Sequence, residues 1–411
     1  MKGRAVITGI GVLSSIGKGR DAYWKALQRG ATGVRPITLF DAAPFRVKSA
    51  GEIADFEALA YLGKKGLRDL DRSTRLVCSA AKLALDDSGL AISDEMSRSV
   101  GVAIGTTFGS LHSIAQFDRS GLTEGPRFVN PSHFPNTVIN SPASQVSIRF
   151  TIKGFNTTLS TGFCAGLDAL SYAADFIRLG RADAVLAGGV EELCEETYRL
   201  FHDLGYLSGM SGAEPVSRPF DAGRDGFVLS EGSAVLVAEN EEYARSRGAD
   251  ILAVILGCGN AFDPEADSTF ERAGRGLKTA IAQALEEACV RPKDVGYVCS
   301  CANGMPGLDR MEARILHEVF GEDARHVPVS SIKSMIGETY SASGALAVAA
   351  AVGGLRQGFI PPTVNHRQTD TLCALDIVPN AARAQAVKTV LVTAADPYGQ
   401  NSALVVGGYN R

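Results

Sequence analysis

Two hydrophobic patterns alternate along the chain. Short continuous apolar runs fall at 5–10, 99–106, 184–187, 233–238, 251–257, 295–301, 327–331 and 387–392, and each reads as a buried strand. Between them lie longer segments with apolar residues three or four positions apart. These predict amphipathic helices over 21–29, 73–87, 167–179, 279–289 and 340–355; in the third, Leu167, Leu170, Ala174 and Ile177 share one face. The helix predicted over 340–355 is rich in alanine like the one over 167–179, and the strand at 387–392 echoes the one at 184–187. Two similar strand–turn–helix–strand passages imply an internal duplication, with one half over 1–250 and a second over 251–411. The stretch 108–141 has no clear period and carries prolines at 126, 131 and 135, so it is expected to be a long loop over a site or an interface. Gly9 and Gly11 fit only part of a dinucleotide-binding glycine pattern and read instead as a tight strand-to-loop turn.

Composition narrows the function classes. With 411 residues, 45% of them apolar, the chain can bury a large core. The net charge of −4 is scattered, which gives no basic stripe for nucleic acid or an anionic membrane surface. No apolar run is long enough to span a bilayer, and the N-terminus enters a strand without the apolar core of a signal peptide. Eight cysteines show no zinc-like pairing and read as reduced thiols of a cytoplasmic protein; no metal site or nucleotide loop is visible.

Chemistry is expected first at the turn before Leu167. A strand-to-helix turn presents one side chain at the helix N-terminus, where free N–H groups favour a thiolate, and Phe163 and Cys164 compete for that place. The segment 157–189 resembles the nucleophile turn of the β-ketoacyl-acyl-carrier-protein synthases, whose usual form is Thr-Ala-Cys-x-x-Gly before an alanine-rich helix. Aligned without a gap, Phe163 takes the cysteine's place and Cys164 lies one residue late. The opening VITGIGVLSSIG and the run Ser217 to Gly232, SRPFDAGRDGFVLSEG, are similar to the same family; Arg218, Asp221, Arg224 and Asp225 are expected to pair beneath the site. The resemblance runs from Val6 to Val406. It implies a thiolase-like α/β fold, two pseudo-duplicated halves in an α-β-α-β-α arrangement, with no cofactor.

In that family a cysteine thiolate takes an acyl group from a carrier protein, and two histidines stabilise the enolate formed on decarboxylation. Here Asn303 stands at the first histidine position, in a turn about two residues short, and Glu338 at the second, with Lys333 retained. An ionised Glu338 at ~4 Å from a developing enolate would oppose it by about 4 kcal/mol at an effective dielectric near 20, unless it pairs with Lys333 or Asn303 or stays protonated. The glycine-rich C-terminal loop of the family is replaced by Ala394-Ala395-Asp396-Pro397-Tyr398, which stiffens and fills it. By resemblance, 108–141 crosses a two-fold axis and shapes the partner's acyl pocket, so Phe108, His133, Phe134 and Pro135 are candidate wall residues. Gly166-Leu167-Asp168-Ala169 and Asn401 to Val406 resemble chain-length factors, the inactive ketosynthase-like partners of type II polyketide systems.

The leading expectation is a catalytically silent subunit that pairs with an active ketosynthase, meets its acyl carrier protein and sets product length. A second is an active acyltransferase using Cys164, with Asn303 and Glu338 in support. A third is a homodimeric acyl-binding protein.

Overall fold

The computed structural model describes residues 3–267, 269–270 and 273–409. Ten strands organise it: β1 (Ala5–Ser14), β2 (Val100–Gly105), β3 (Asn156–Leu159), β4 (Ala184–Glu191), β5 (Gly232–Asn240), β6 (Ala253–Phe262), β7 (Tyr297–Cys299), β8 (Pro328–Ser330), β9 (Thr389–Ala395) and β10 (Gln400–Gly408). They run in space β8-β7-β9-β10-β6-β1-β5-β4-β2-β3. Outward from the centre the order repeats, β1-β5-β4-β2-β3 on one side and β6-β10-β9-β7-β8 on the other. The two inner pairings on each side are antiparallel and the two outer ones parallel. The duplication is therefore topological, and β1 and β6 join its halves over Ala5–Ile7.

Each half covers its sheet with an outer helix, Arg72–Ser88 or Arg275–Ala288. The inner helices Ala165–Arg178 and Ser343–Gln357 lie between the two halves of the continuous sheet and complete the α-β-α-β-α layering. Burial on both faces explains the continuous apolar runs; all ten residues of β1 are buried. Gly9 and Gly11 lie inside this strand rather than in a turn. A Cβ on Gly11 would fall 1.9 Å from the Ala80 carbonyl oxygen, so the outer helix rests on bare backbone. The second half repeats the device: a Cβ on Gly259 would meet the Ala280 oxygen at 2.0 Å.

The stretch 108–141 is more ordered than its sequence suggests, with a helix at Leu111–Thr123 and a 3-10 segment at Pro131–Thr137. Its prolines all follow that helix: Pro126 lies in the link and Pro131 and Pro135 within the 3-10 segment. None of the helix is buried, and Leu122 is 88% exposed. Among the described residues no helix is long and apolar enough to cross a membrane.

Gly11→Ala and Gly259→Ala should each destabilise by about 1–3 kcal/mol through overpacking, read as a lower melting temperature. An Ala substitution at Gly248, which has φ +72 but open space around it, should cost about 1–2 kcal/mol from backbone strain alone.

Candidate active site

The turn after β3 depends on Gly162. It has φ +58, and a Cβ there would lie 2.1 Å from Asp396 Oδ2. The 3-10 turn Gly162–Cys164 then enters the inner helix. It sends the two competing side chains in different directions. Phe163 faces an aromatic cluster, with ring centroids 6.2 Å from Phe201, 6.4 Å from Phe227 and 6.0 Å from Tyr340. It also lines a cavity of about 340 Å³ shared with Phe108, Thr161, Phe262, Asp396 and Tyr398. Cys164 turns into the core and is fully buried. Burial, followed by the carboxylates of Asp168 and Asp396, pushes its thiol well above the usual range, against any benefit from the helix N-terminus. The side chain at the cavity is thus a hydrocarbon ring with no nucleophilic atom.

The second half brings Asn303, Lys333 and Glu338 together, all buried. Glu338 Oε2 accepts from Asn303 Nδ2 at 2.8 Å and from Lys333 Nζ at 2.8 Å. Its Oε1 accepts from the Tyr340 N–H at 2.9 Å and from Ser343 Oγ at 2.6 Å. Asn303 Oδ1 is taken by the Met305 N–H at 3.0 Å, and Lys333 also donates to the Cys301 carbonyl at 2.9 Å. Burial is the largest influence and lowers the Lys333 pKa, but Glu338 together with Cys301 and Glu312 raises it, and the net direction is upward. Tyr340 connects this network to Phe163: its N–H binds Glu338, its ring faces the phenylalanine, and its backbone sits at φ +30.

Asp396 supplies a feature that the sequence did not reveal. Its Oδ2 accepts from the Phe163 N–H at 3.1 Å and its Oδ1 from the Tyr398 N–H at 2.7 Å. Burial raises its pKa, and the two N–H groups act in the opposite sense. Two backbone donors beside the cavity therefore already hold an anion that belongs to the chain. The only sequence signal was an acidic residue before Pro397 in an otherwise small-residue loop.

Other expected residues fall into place unevenly. Phe108 lines the cavity and Tyr398 stands at its rim, 61% exposed. His133, Phe134 and Pro135 are exposed and form none of its wall within a single chain. Arg224 does not pair with the side chains of Asp221 or Asp225. It meets Asp309 at 3.2 Å and Asp370 at 2.9 Å, while Asp221 accepts backbone N–H groups of 223, 367 and 368. Arg218 does face Asp225, at 3.7 Å.

Two further buried acids hold the start of the 108–141 segment. Glu191 accepts from the Thr107 and Phe108 N–H groups and from Thr106 and Ser341 hydroxyls, and Glu192 accepts from the N–H groups of Ser73 and His112. Burial raises Glu191 to about 7 and Glu192 to about 8. With raised folded pKa values the native state binds more protons than the unfolded chain between 4.5 and about 8, so stability falls as pH rises through that window. Glu192→Gln should flatten the upper part of this decline in a melting-temperature series from acid to mildly alkaline pH. Lys333→Met leaves Glu338 without its counter-charge and should cost about 3–5 kcal/mol, measured by chemical denaturation.

Comparison with known proteins follows from this geometry. The family model for the beta-ketoacyl synthase N-terminal domain matches residues 2–244, and that for the beta-ketoacyl synthase C-terminal domain matches 252–367. The 3-oxoacyl-[acyl-carrier-protein] synthase 2 of Coxiella burnetii (strain RSA 493 / Nine Mile phase I) is 37% identical over 408 residues, 98% of each chain. The solved ishigamide ketosynthase/chain length factor superposes with a TM-score of 0.93 at 33% identity, covering 100% of both chains. A type II polyketide synthase ketosynthase, bound to a hexaketide and in complex with its acyl carrier protein, gives a TM-score of 0.90 at 29% identity, again covering 100% of both. The chain belongs to the beta-ketoacyl synthase family.

Proposed function

We propose that this member of the beta-ketoacyl synthase family is a catalytically silent, chain-length-factor-type subunit that pairs with an active ketosynthase in type II polyketide or fatty-acid synthesis. The observation that carries the reading is the occupied site. Phe163 has no atom that can accept an acyl group, and Asp396 already fills the adjacent N–H pair. An incoming thioester oxygen would have to displace that carboxylate and then approach a second one, Glu338, which repels developing negative charge. Cys164 offers no substitute while it stays buried with its pKa raised.

The partner surface lies along 108–148. Strand β3 is a sheet edge, and the stretch that precedes it in sequence exposes Leu122, Phe128, Phe134, Val138, Ile139 and Ile148. An open edge beside an apolar face suits a second chain of the same fold, and the printed title of the ishigamide neighbour names a ketosynthase with a chain length factor. In such a pair Phe108, His133, Phe134 and Pro135 would contribute to the shared acyl channel, and an acyl carrier protein would deliver to the active subunit.

Intact-protein mass after incubation with a short acyl-carrier-protein thioester tests this reading, with and without a co-expressed ketosynthase. We expect acyl mass on the ketosynthase alone, with this chain co-purifying in a one-to-one complex. Substitutions at Phe108 or Phe134 should shift product length without changing acylation of the partner. An adduct on this chain that disappears in Cys164→Ala would overturn the reading and make Cys164 the nucleophile.

A further inference from the structure

A second cavity, of about 620 Å³, is lined by Arg218, His366, Arg367, Asn365, Asn380 and Glu214, and shares no lining residue with the cavity beside Phe163. Its donors are unevenly used. His366 is only 8% exposed; its Nε2 contacts Thr369 Oγ1 at 2.9 Å, and its Nδ1 has no partner. Arg218 faces Asp225 only at 3.7 Å, and its buried Nε is likewise unpartnered. The Arg367 guanidinium is exposed and forms no ion pair among the described residues, although its backbone N–H is fixed on Asp221 at 2.6 Å. The two asparagines shape the walls instead: Asn365 Nδ2 binds the Ser217 carbonyl at 2.9 Å and Asn380 Nδ2 the His366 carbonyl at 2.6 Å. Glu214, exposed, is the one lining carboxylate.

Arg218 and His366 line one cavity beside a free guanidinium, and each carries a buried nitrogen without a partner, which is rare in folded proteins. Arginine forks match the oxygens of phosphate and carboxylate groups, and phosphate offers more acceptor oxygens to donors that come from separate loops. The volume lies within the ~300–1,000 Å³ of small-molecule sites and far exceeds a bare anion. We propose that this cavity is an oxyanion-binding site for a small phosphorylated ligand, with Arg218, His366 and Arg367 around the phosphoryl group. The site is wired to the Lys333 turn: Asn365 binds the Ser217 carbonyl, and Ser217 Oγ donates to the Lys333 carbonyl at 2.7 Å.

Thermal denaturation and calorimetry of the full chain with inorganic phosphate, at constant ionic strength, test the proposal. Phosphate should raise the melting temperature saturably. Arg367→Ala, which removes no internal ion pair, should weaken binding about tenfold or more, and Glu214→Gln should tighten it by about two- to fivefold. Arg46→Ala, an exposed arginine outside the lining, should leave it unchanged. Absence of saturable binding, equal binding by Arg367→Ala, or equal weakening by Arg46→Ala would each overturn the assignment. Binding of malonate without phosphate would do so too, by making the site one for carboxylates.

Discussion

The backbone contact between the two halves sets the position of everything else. A Cβ on Gly166 would lie 2.3 Å from the Ser341 carbonyl oxygen, and one on Gly189 2.4 Å from the same atom. A Cβ on Gly344 would come within 2.7 Å of the Leu167 Cβ. The first turns of the two inner helices therefore touch without side chains between them, which only glycine permits. The turn carrying Phe163 precedes one helix and the turn carrying Glu338 and Tyr340 precedes the other. Their meeting follows from the duplication, because equivalent turns from two similar halves must converge on the pseudo-two-fold axis.

What occupies the convergence point is internally satisfied. Glu338 takes four donors and Asp396 takes two backbone N–H groups, while the Phe163 ring packs against three aromatic neighbours. Reactive sites tend to keep donors or charges unspent until a substrate arrives. Here the chain's own carboxylates use them. Low exposure makes this arrangement rigid as well as complete, since any rearrangement would strand a buried charge.

The fold was legible because its strands are buried on both faces and its inner helices carry alanine and glycine in matching places. The substituted positions 163, 303 and 338 were legible through family resemblance, and pairing of Glu338 with Lys333 or Asn303 was one of the outcomes, beside a protonated Glu338, expected at that position. What was hidden depended on contacts remote in sequence. The acceptor role of Asp396 needs Phe163, 233 residues away, and Arg224 finds Asp309 and Asp370 rather than nearer acids. Gly9 and Gly11 were misplaced because a glycine pair looks the same whether it bends a strand or clears room for a helix above it. The helix at Leu111–Thr123 escaped because prolines at 126, 131 and 135 follow it closely and make the whole stretch read as a loop, although Leu111, Ile114 and Phe117 do recur at helical spacing.

The Glu338 network also bears on how such a chain could change over evolutionary time. A single substitution replacing Glu338 with an imidazole would strip Lys333 of its counter-charge and leave the Asn303 amide without its acceptor. Replacing Phe163 with a thiol would open space in the aromatic cluster while Asp396 still held the neighbouring N–H groups. Each such one-step replacement thus breaks contacts that its neighbours depend on, and several positions would have to change together. The interlocked side chains make residues 163, 303, 338 and 396 one unit, in which a tolerated change at one position depends on the identity of the others.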